Sequence, residues 1–460
     1  MQGTKNATGK NMFWVRDKNF YRTLLVLAVP IIMQNIITHG VSLADNMMIG
    51  RLGETAISGL YFGNRVQMVL QILLFGVESA IIILASQYWG KKDLDRIKDI
   101  SSLATRLTLV FTACVSLLIG VFPQVVMRIM TSDAEVIECG AGYLRIVSVS
   151  YVFFSVTMML IATMRAVEMV RIGLINSIVA LCVNVCGNYV LIYGHFGLPA
   201  MGVSGAALAT VISRIVEFGV VLFYVLKCDT HLKMRLSDFR RWDSQILHDL
   251  VKYGLPLLGG QIVWAVNQFM RAFVVGDMEQ DAMAAVSITD MYDALLCHGV
   301  FGLASAVGVV VGKTIGRGAI EEVKTQAKTM QVIFLGLGVL CSAVAFTFKG
   351  PFLSCYNLSP ATMQIADSLM VVLYVCIIGR CYQAPSLMGL VKAGGDTSFV
   401  FKNDTVFVFC VVLPSAMLAQ FHFHAPPWIV YACLLSDQVL KCFVAVVKIN
   451  SFNWMKKLTR

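Results

Sequence analysis

Twelve stretches of this chain are apolar over at least the ~20 residues that a helix needs to cross a hydrocarbon layer. They run over about 21–49, 56–88, 99–123, 135–164, 167–193 and 200–227. After the polar stretch CDTHLKMRLSDFRRWDSQ (228–245), they resume over 247–275, 283–314, 322–349, 361–391, 397–420 and 427–448. Backbone in lipid must satisfy its own hydrogen bonds, so runs of this length predict helices. The predicted fold is an all-α integral membrane protein with twelve transmembrane helices. With 57% hydrophobic and 14% charged residues, against roughly 25% charged in soluble domains, a water-soluble enzyme and a disordered chain are both excluded.

The basic residues give the orientation. Twenty-seven of them fall on one side of the predicted membrane, in groups from Lys5–Arg22 through Lys91–Lys98, Arg165–Arg171, Lys227–Lys252, Lys313–Lys328 and Lys392–Lys402 to Lys448–Arg460. The opposite loops hold Arg51, Arg128 and Lys349. The positive-inside rule then makes both termini cytoplasmic. It also accounts for the net charge of +10 without any nucleic-acid partner. The first 22 residues are polar and basic and predict no signal peptide. The 13 cysteines include no C-x-x-C pair, and Cys182 and Cys186, one turn apart, have no histidine nearby. No metal site, disulfide framework or cofactor is expected.

The two sets of six helices are copies. Pro30 matches Pro256, Gly50 matches Gly276, and FGVESA from Phe75 matches FGLASA from Phe301. Gly90 matches Gly316 and Lys98 matches Lys324, all at an offset of 226 residues. TMRA (163–166) corresponds to the LVKAGGD stretch (390–396) if one residue is inserted. Six helices return the chain to its starting side, so the repeats are parallel and form two pseudo-twofold-related six-helix bundles, as in transporters that rock around a central cavity. The expected domains are a cytoplasmic N-terminal segment (1–20), an N-lobe (21–227), a cytoplasmic linker (228–246), a C-lobe (247–448) and a cytoplasmic tail (449–460).

The stretch MQNIITHGVSLADNMMIGRLGETAISGL (33–60) resembles the first-helix signature of the multidrug and toxic compound extrusion (MATE) family, in which an acidic residue precedes a G-R-L-G turn. ESAIIILASQYWGKKD (78–93), NVCGNYVLIYGHFGLPAMGVSGAALATVISR (184–214) and VKAGGDT (391–397) are similar to further family segments. The resemblance implies a bacterial inner-membrane exporter, closer to the DinF-like branch, that exchanges small hydrophobic or cationic molecules for H+ or Na+. It places Asp45 at the family's first-helix aspartate, Asn184 and Asn188 at its fifth-helix pair and Thr210 at its sixth-helix polar residue, together a cation-coupling set. It places Met33, Gln34, Gln261, Trp264, Asn267 and Arg380 at the substrate cavity. Asn188 stands where the branch has a second aspartate, and an amide cannot take up a proton. The partners implied are substrate and membrane lipid, with the protein a monomer.

A charge in the bilayer is costly and usually has a partner or a job. Asp45 has no cation at i±3 or i±4, where Ser42, Val41, Met48 and Ile49 stand. It is either a coupling carboxylate or an interfacial aspartate facing water. Asn184 and Asn188 lie one turn apart, as hydrogen-bond partners for it or as interhelical glue. Arg214 and Glu217 predict an intrahelical pair, as do Asp437 and Lys441. Glu78 has no evident local partner, Asp290 and Asp293 count to the hydrated outer end of the eighth helix, and His39 and His298 could relay protons. The alternative function is a lipid-linked saccharide flippase, for which Arg65, Arg106, Arg145, Arg271 and Arg380 would have to converge on one cavity. No cluster of catalytic groups in a loop supports an enzyme, and no filter-like loop supports a channel.

Overall fold

The computed structural model describes residues 14–50, 54–354, 356 and 358–459. Residues 1–13 of the N-terminal segment, Arg51–Gly53 of the G-R-L-G turn, Arg460 and the side chain of His298 lie outside the described residues. The first six spans are α1 (Lys18–Ile49), α2 (Ala56–Lys91), α3 (Leu94–Val121), α4 (the pair Ala134–Val147 and Ser150–Ala166), α5 (Arg171–Tyr193) and α6 (Gly202–Cys228). The second six are α7 (Ser244–Gly276), α8 (Gln280–Gly316), α9 (Ile320–Leu353), α10 (Pro360–Val391), α11 (Thr397–His422) and α12 (Pro427–Ser451).

Ten of these are single helices apolar and long enough to cross a membrane, and α4 is a broken span bent by 50°. The bend falls where Ser148 and Ser150 turn their hydroxyls onto the Arg145 and Val147 carbonyls, a substitution of side-chain for backbone bonding that bends helices. Span α7 completes the twelve. His248, Asp249, Lys252, Gln261, Asn267 and Arg271 lower its hydropathy, yet its 33 residues make a rod of ~50 Å. The helix starts were written locally. Asp17, Asp93, Asp133, Asp243 and Ser359 each accept a first-turn N–H of α1, α3, α4, α7 and α10.

The two six-helix sets meet at the end of the bundle that carries the lysine- and arginine-rich loops. Gly254 of α7 faces Ala80 of α2, Leu258 of α7 covers Gly76, and Ile32 of α1 covers Gly302 of α8. The apolar core follows the same crossing. Phe20, Leu24 and Ile31 of α1 belong to one cluster with Leu303, Val307 and Val310 of the second set. Ile246, Leu250 and Leu257 of α7, at the 226-residue offset, belong to the cluster of the first set. In the opposite halves of the helices, Met47, Tyr61, Val69, Phe269, Met291 and Leu295 stand exposed.

Residues beyond α12 close over this seam. Phe452 turns the chain at φ 57°, and Trp454 is fully buried against Gly394, where any side chain would collide with the indole. The Lys456 N–H donates to the Gly394 carbonyl at 2.8 Å. Gln87 of α2 then bonds the strap from the other set: its amide donates to the Ala393 and Lys456 carbonyls at 3.0 and 3.3 Å, and its carbonyl accepts the Leu458 N–H at 2.8 Å.

Candidate functional site

In the first set, α1 and α5 are held side by side. The Tyr193 hydroxyl donates to the Met48 carbonyl at 2.8 Å, and the Thr38 and Ser177 hydroxyls meet at 3.3 Å. This register brings Asp45 of α1 against Asn188 of α5, whose amide N–H donates to the Asp45 carboxylate. The same amide bonds the Asn184 carbonyl one turn back at 3.2 Å, and the Asn184 side chain is itself within hydrogen-bonding reach of Asp45. Asn184 and Asn188 are fully buried. Thr210 is buried too, and its hydroxyl donates to the Ala206 carbonyl at 3.0 Å.

Two further groups face Asp45. Arg214 of α6, held by both oxygens of Glu217 at 2.9 Å, acts electrostatically on the Asp45 carboxylate. Tyr143 of α4 lies near enough for its hydroxyl to feel the Asp45 charge. Periodicity predicted the Arg214–Glu217 pair but carried no signal of its nearness to α1. The chemistry of the cluster suits a carboxylate that changes state. An amide donates to an ionised carboxylate through nitrogen and, turned over, accepts from a protonated one through oxygen. The Asn188 carbonyl oxygen is buried without a partner, so turning the amide over would break no hydrogen bond of that oxygen. Asn184 and Asn188 carbonyl oxygens are likewise hard-cation ligands.

The second set holds a different arrangement. Arg380 of α10 is buried, bonded to Asp293 and Cys297 of α8 and to Gln438 of α12 at 3.2 Å. The void beside it, lined by Leu296, Cys297, Val300, Cys341, Ile377 and Cys381, measures about 10 Å³, room for one water at most. Arg380 therefore sits among side chains of its own bundle. Arg271 of α7 pairs with Asp290, which also accepts from the Tyr431 hydroxyl at 3.1 Å. The expectation of hydrated Asp290 and Asp293 is corrected for Asp293, whose side chain turns into the lobe. Of the remaining cavity residues, Met33 and Trp264 are exposed, Gln261 is half-buried, and Asn267 keeps a buried carbonyl oxygen unbonded.

Gln34 is drawn into a third cluster, on the seam. Its carbonyl accepts from Arg165 of α4 at 3.2 Å, and Arg165 pairs with Glu78 of α2 at 3.0 Å. Sequence reasoning found no partner for Glu78 because Arg165 lies 87 residues away. Of the five arginines, Arg271 and Arg380 share one cluster with Asp290 and Asp293, while the other three lie elsewhere, Arg145 being exposed on α4. Arg65 bonds the Tyr61 hydroxyl, Arg106 bonds the Arg241 carbonyl beside the Trp242 ring, Arg271 and Arg380 hold Asp290 and Asp293. Asp437 meets Lys441 at 3.1 Å as the i,i+4 spacing predicts, and Asp404 shares that lysine.

Comparison with known proteins places these clusters in a family context. The family described as MatE matches residues 30–190 and 256–417, one segment in each repeat. The probable multidrug resistance protein NorM of Thermotoga maritima is 23% identical over 452 residues, 95% of this chain and 94% of that protein. The multidrug resistance protein PmpM of Pseudomonas aeruginosa is 25% identical over 355 residues, 76% and 74% of the two chains. Among solved structures, a MOP superfamily transporter from Pyrococcus furiosus superposes with a TM-score of 0.84 at 16% identity, covering 97% of this chain and 99% of that one. The Vibrio cholerae MATE transporter VcmN in its bent form gives 0.85 at 16%, over 94% and 97%.

Proposed function

This chain belongs to the MatE family, and on that premise we propose that it is a secondary-active exporter of small hydrophobic or cationic molecules, driven by inward movement of H+ or Na+. It works as a monomer in the bacterial cytoplasmic membrane with both termini inside. It carries out no bond chemistry and needs no cofactor. Its repeated halves alternate between two closures, one at the basic end and one at the opposite end. The ion binds at Asp45 when the site faces outward. Occupancy neutralises the carboxylate, the Asn184–Asn188 amides rearrange around it, and the shape favoured without the ion loses its advantage. Differential affinity of this kind is what lets an ion shift a conformational equilibrium and release cargo.

The carrying observation is the Asp45–Asn188–Asn184 chain of contacts between α1 and α5. A carboxylate serving only as a hydrated interfacial residue has no use for two buried amides. A saccharide-lipid flippase has less support, since Arg65, Arg106, Arg271 and Arg380 are each engaged by a protein partner. The test is efflux of ethidium from proteoliposomes under an imposed proton or sodium gradient, with wild type beside Asp45→Asn. Gradient-driven efflux should be lost in the variant while its thermal unfolding is retained. Unchanged efflux would remove Asp45 from the mechanism, and the gradient that drives wild type identifies the ion.

A further inference from the structure

Beside the Lys313–Glu168 ion pair, which joins the lobes at 2.6 Å, two further cations cross the seam in a reciprocal pattern. Arg165, from the N-lobe, reaches the Ser305 hydroxyl of α8 at 3.4 Å. Lys392, from the C-lobe, reaches the Ser79 hydroxyl of α2 at 2.9 Å. Ser79 and Ser305 are the same position of the FGVESA and FGLASA repeats, and Arg165 and Lys392 the same position of TMRA and LVKA. Each lobe thus lends a cation to the serine of the other. The symmetry breaks at one residue: Glu78 has Ala304 as its counterpart. Glu78 is buried, bonds Arg165 at 3.0 Å, lies close enough to Lys392 to act on its charge, and leaves Oε2 without a partner. The other group acting on Lys392 is Asp404, itself engaged by Lys441.

We propose that Glu78 is the charge that keeps the basic-end gate closed, a positioning residue that holds Arg165 and Lys392 together across the lobes. With Glu78 the cluster carries a net charge of +1; without it, +2 at a contact where the lobes must touch. Two like charges in a low-dielectric seam repel, and each can regain water only if the lobes part. Glu78 therefore biases which closure the empty transporter prefers. Placing it on one repeat alone gives the Arg165–Lys392 pair an anion with no repeat-equivalent anion facing it. The inference rests on the alternating-access reading given above.

Hydrogen–deuterium exchange of the whole protein in nanodiscs, read on peptides covering 76–91 and 302–316, tests it. Glu78→Gln should raise exchange in both peptides by about a hundredfold or more, the low side of what stranding a buried charge produces. Adding Lys392→Gln to that variant removes the repulsion and should restore protection. So should Ala304→Glu, which moves the carboxylate to the other repeat; either double variant suffices if the other fails to fold. Exchange in Glu78→Gln at the wild-type level, or raised exchange that neither second substitution lowers, overturns the proposal. Wild-type peptides that stay equally protected under every gradient that drives efflux would overturn alternating access as well, so the two failures are distinguishable.

Discussion

Ile32 of α1 lies over the bare face of Gly302 on α8, so close that a methyl group added to the glycine would sit 2.7 Å from Ile32 Cγ1. The relationship recurs at an offset of 226 residues, where Leu258 of α7 lies over Gly76 of α2, its Cγ 2.6 Å from the position of an added methyl. Further toward the basic end, Gly90 meets the Lys313 carbonyl and Gly316 the Gln87 carbonyl, again repeat equivalents. The duplicated sequence has produced a duplicated contact, and the pseudo-twofold axis runs between α2 and α8. Membrane helices approach this closely only where small residues let backbones touch.

At Gly316 the neighbour is backbone, which no rotamer change can move aside. Gly316→Ala is expected to destabilise the protein by about 1–3 kcal/mol through overpacking, and Gly90→Ala by a similar amount. Gly219→Ala on the exposed face of α6, with open space around it, is the matched control and should be neutral or slightly stabilising. Thermal unfolding in detergent measures all three; a Gly316→Ala protein as stable as the control would contradict the tight seam.

Asn188 separates coupling from mere packing at Asp45. Asn188→Leu keeps volume but removes the amide that bonds Asp45 and Asn184. A hydrogen bond to a charged group contributes about 1.5–3 kcal/mol, so initial rates of ion-driven efflux should fall about ten- to a hundredfold. The dependence on external pH or sodium should shift as well. A drop in protein stability with unchanged efflux per folded molecule would assign the pair to interhelical adhesion instead.

Asp396, in the loop after α10, gives a pH prediction at the strap. Partial burial pushes its carboxyl up, but bonds from Lys448 at 2.7 Å and Lys456 at 2.8 Å outweigh this and hold it below the usual carboxylate range. A depressed pKa means that the ionised form is stabilised in the folded protein. The contribution is therefore present above the unfolded value of about 4 and is lost as pH falls through the lower folded value. Asp396→Asn should lower the unfolding temperature at pH 7, and the gap to wild type should close as the pH is brought below about 4. A gap independent of pH would mean that the ion pairs contribute nothing.

Much of this architecture was legible in the residues because it is local or repeated. Length and hydropathy set the twelve spans, and the constant offset set the lobes. The i,i+3 and i,i+4 spacings gave Arg214–Glu217 and Asp437–Lys441. What stayed hidden depends on register between helices, which hydropathy does not encode. Glu78 finds Arg165 and Asp293 finds Arg380 only after α2 is set against α4 and α8 against α10. Counting depth along α8 placed Asp293 near hydrated headgroups. It said nothing of azimuth, and the side chain points inward. The strap was invisible for a related reason: Gln87 bonds a backbone N–H at Leu458, and backbone partners leave no mark on side-chain patterns.

Asp293 and Arg380 supply the remaining test, because the pair sits where a second ion site in the C-lobe would be looked for. Both side chains are buried and each occupies the other. Removing one partner strands a charge, so Asp293→Asn and Arg380→Met are each expected to cost about 3–5 kcal/mol. Removing both leaves no charge to strand, and the double variant should recover most of the loss, which thermal unfolding of the three proteins reads directly. If the pair is structural, the refolded double variant also keeps its ion-driven efflux. Were the double variant stable but uncoupled, ion movement would have to pass through the C-lobe as well, and Asp45 would not be acting alone.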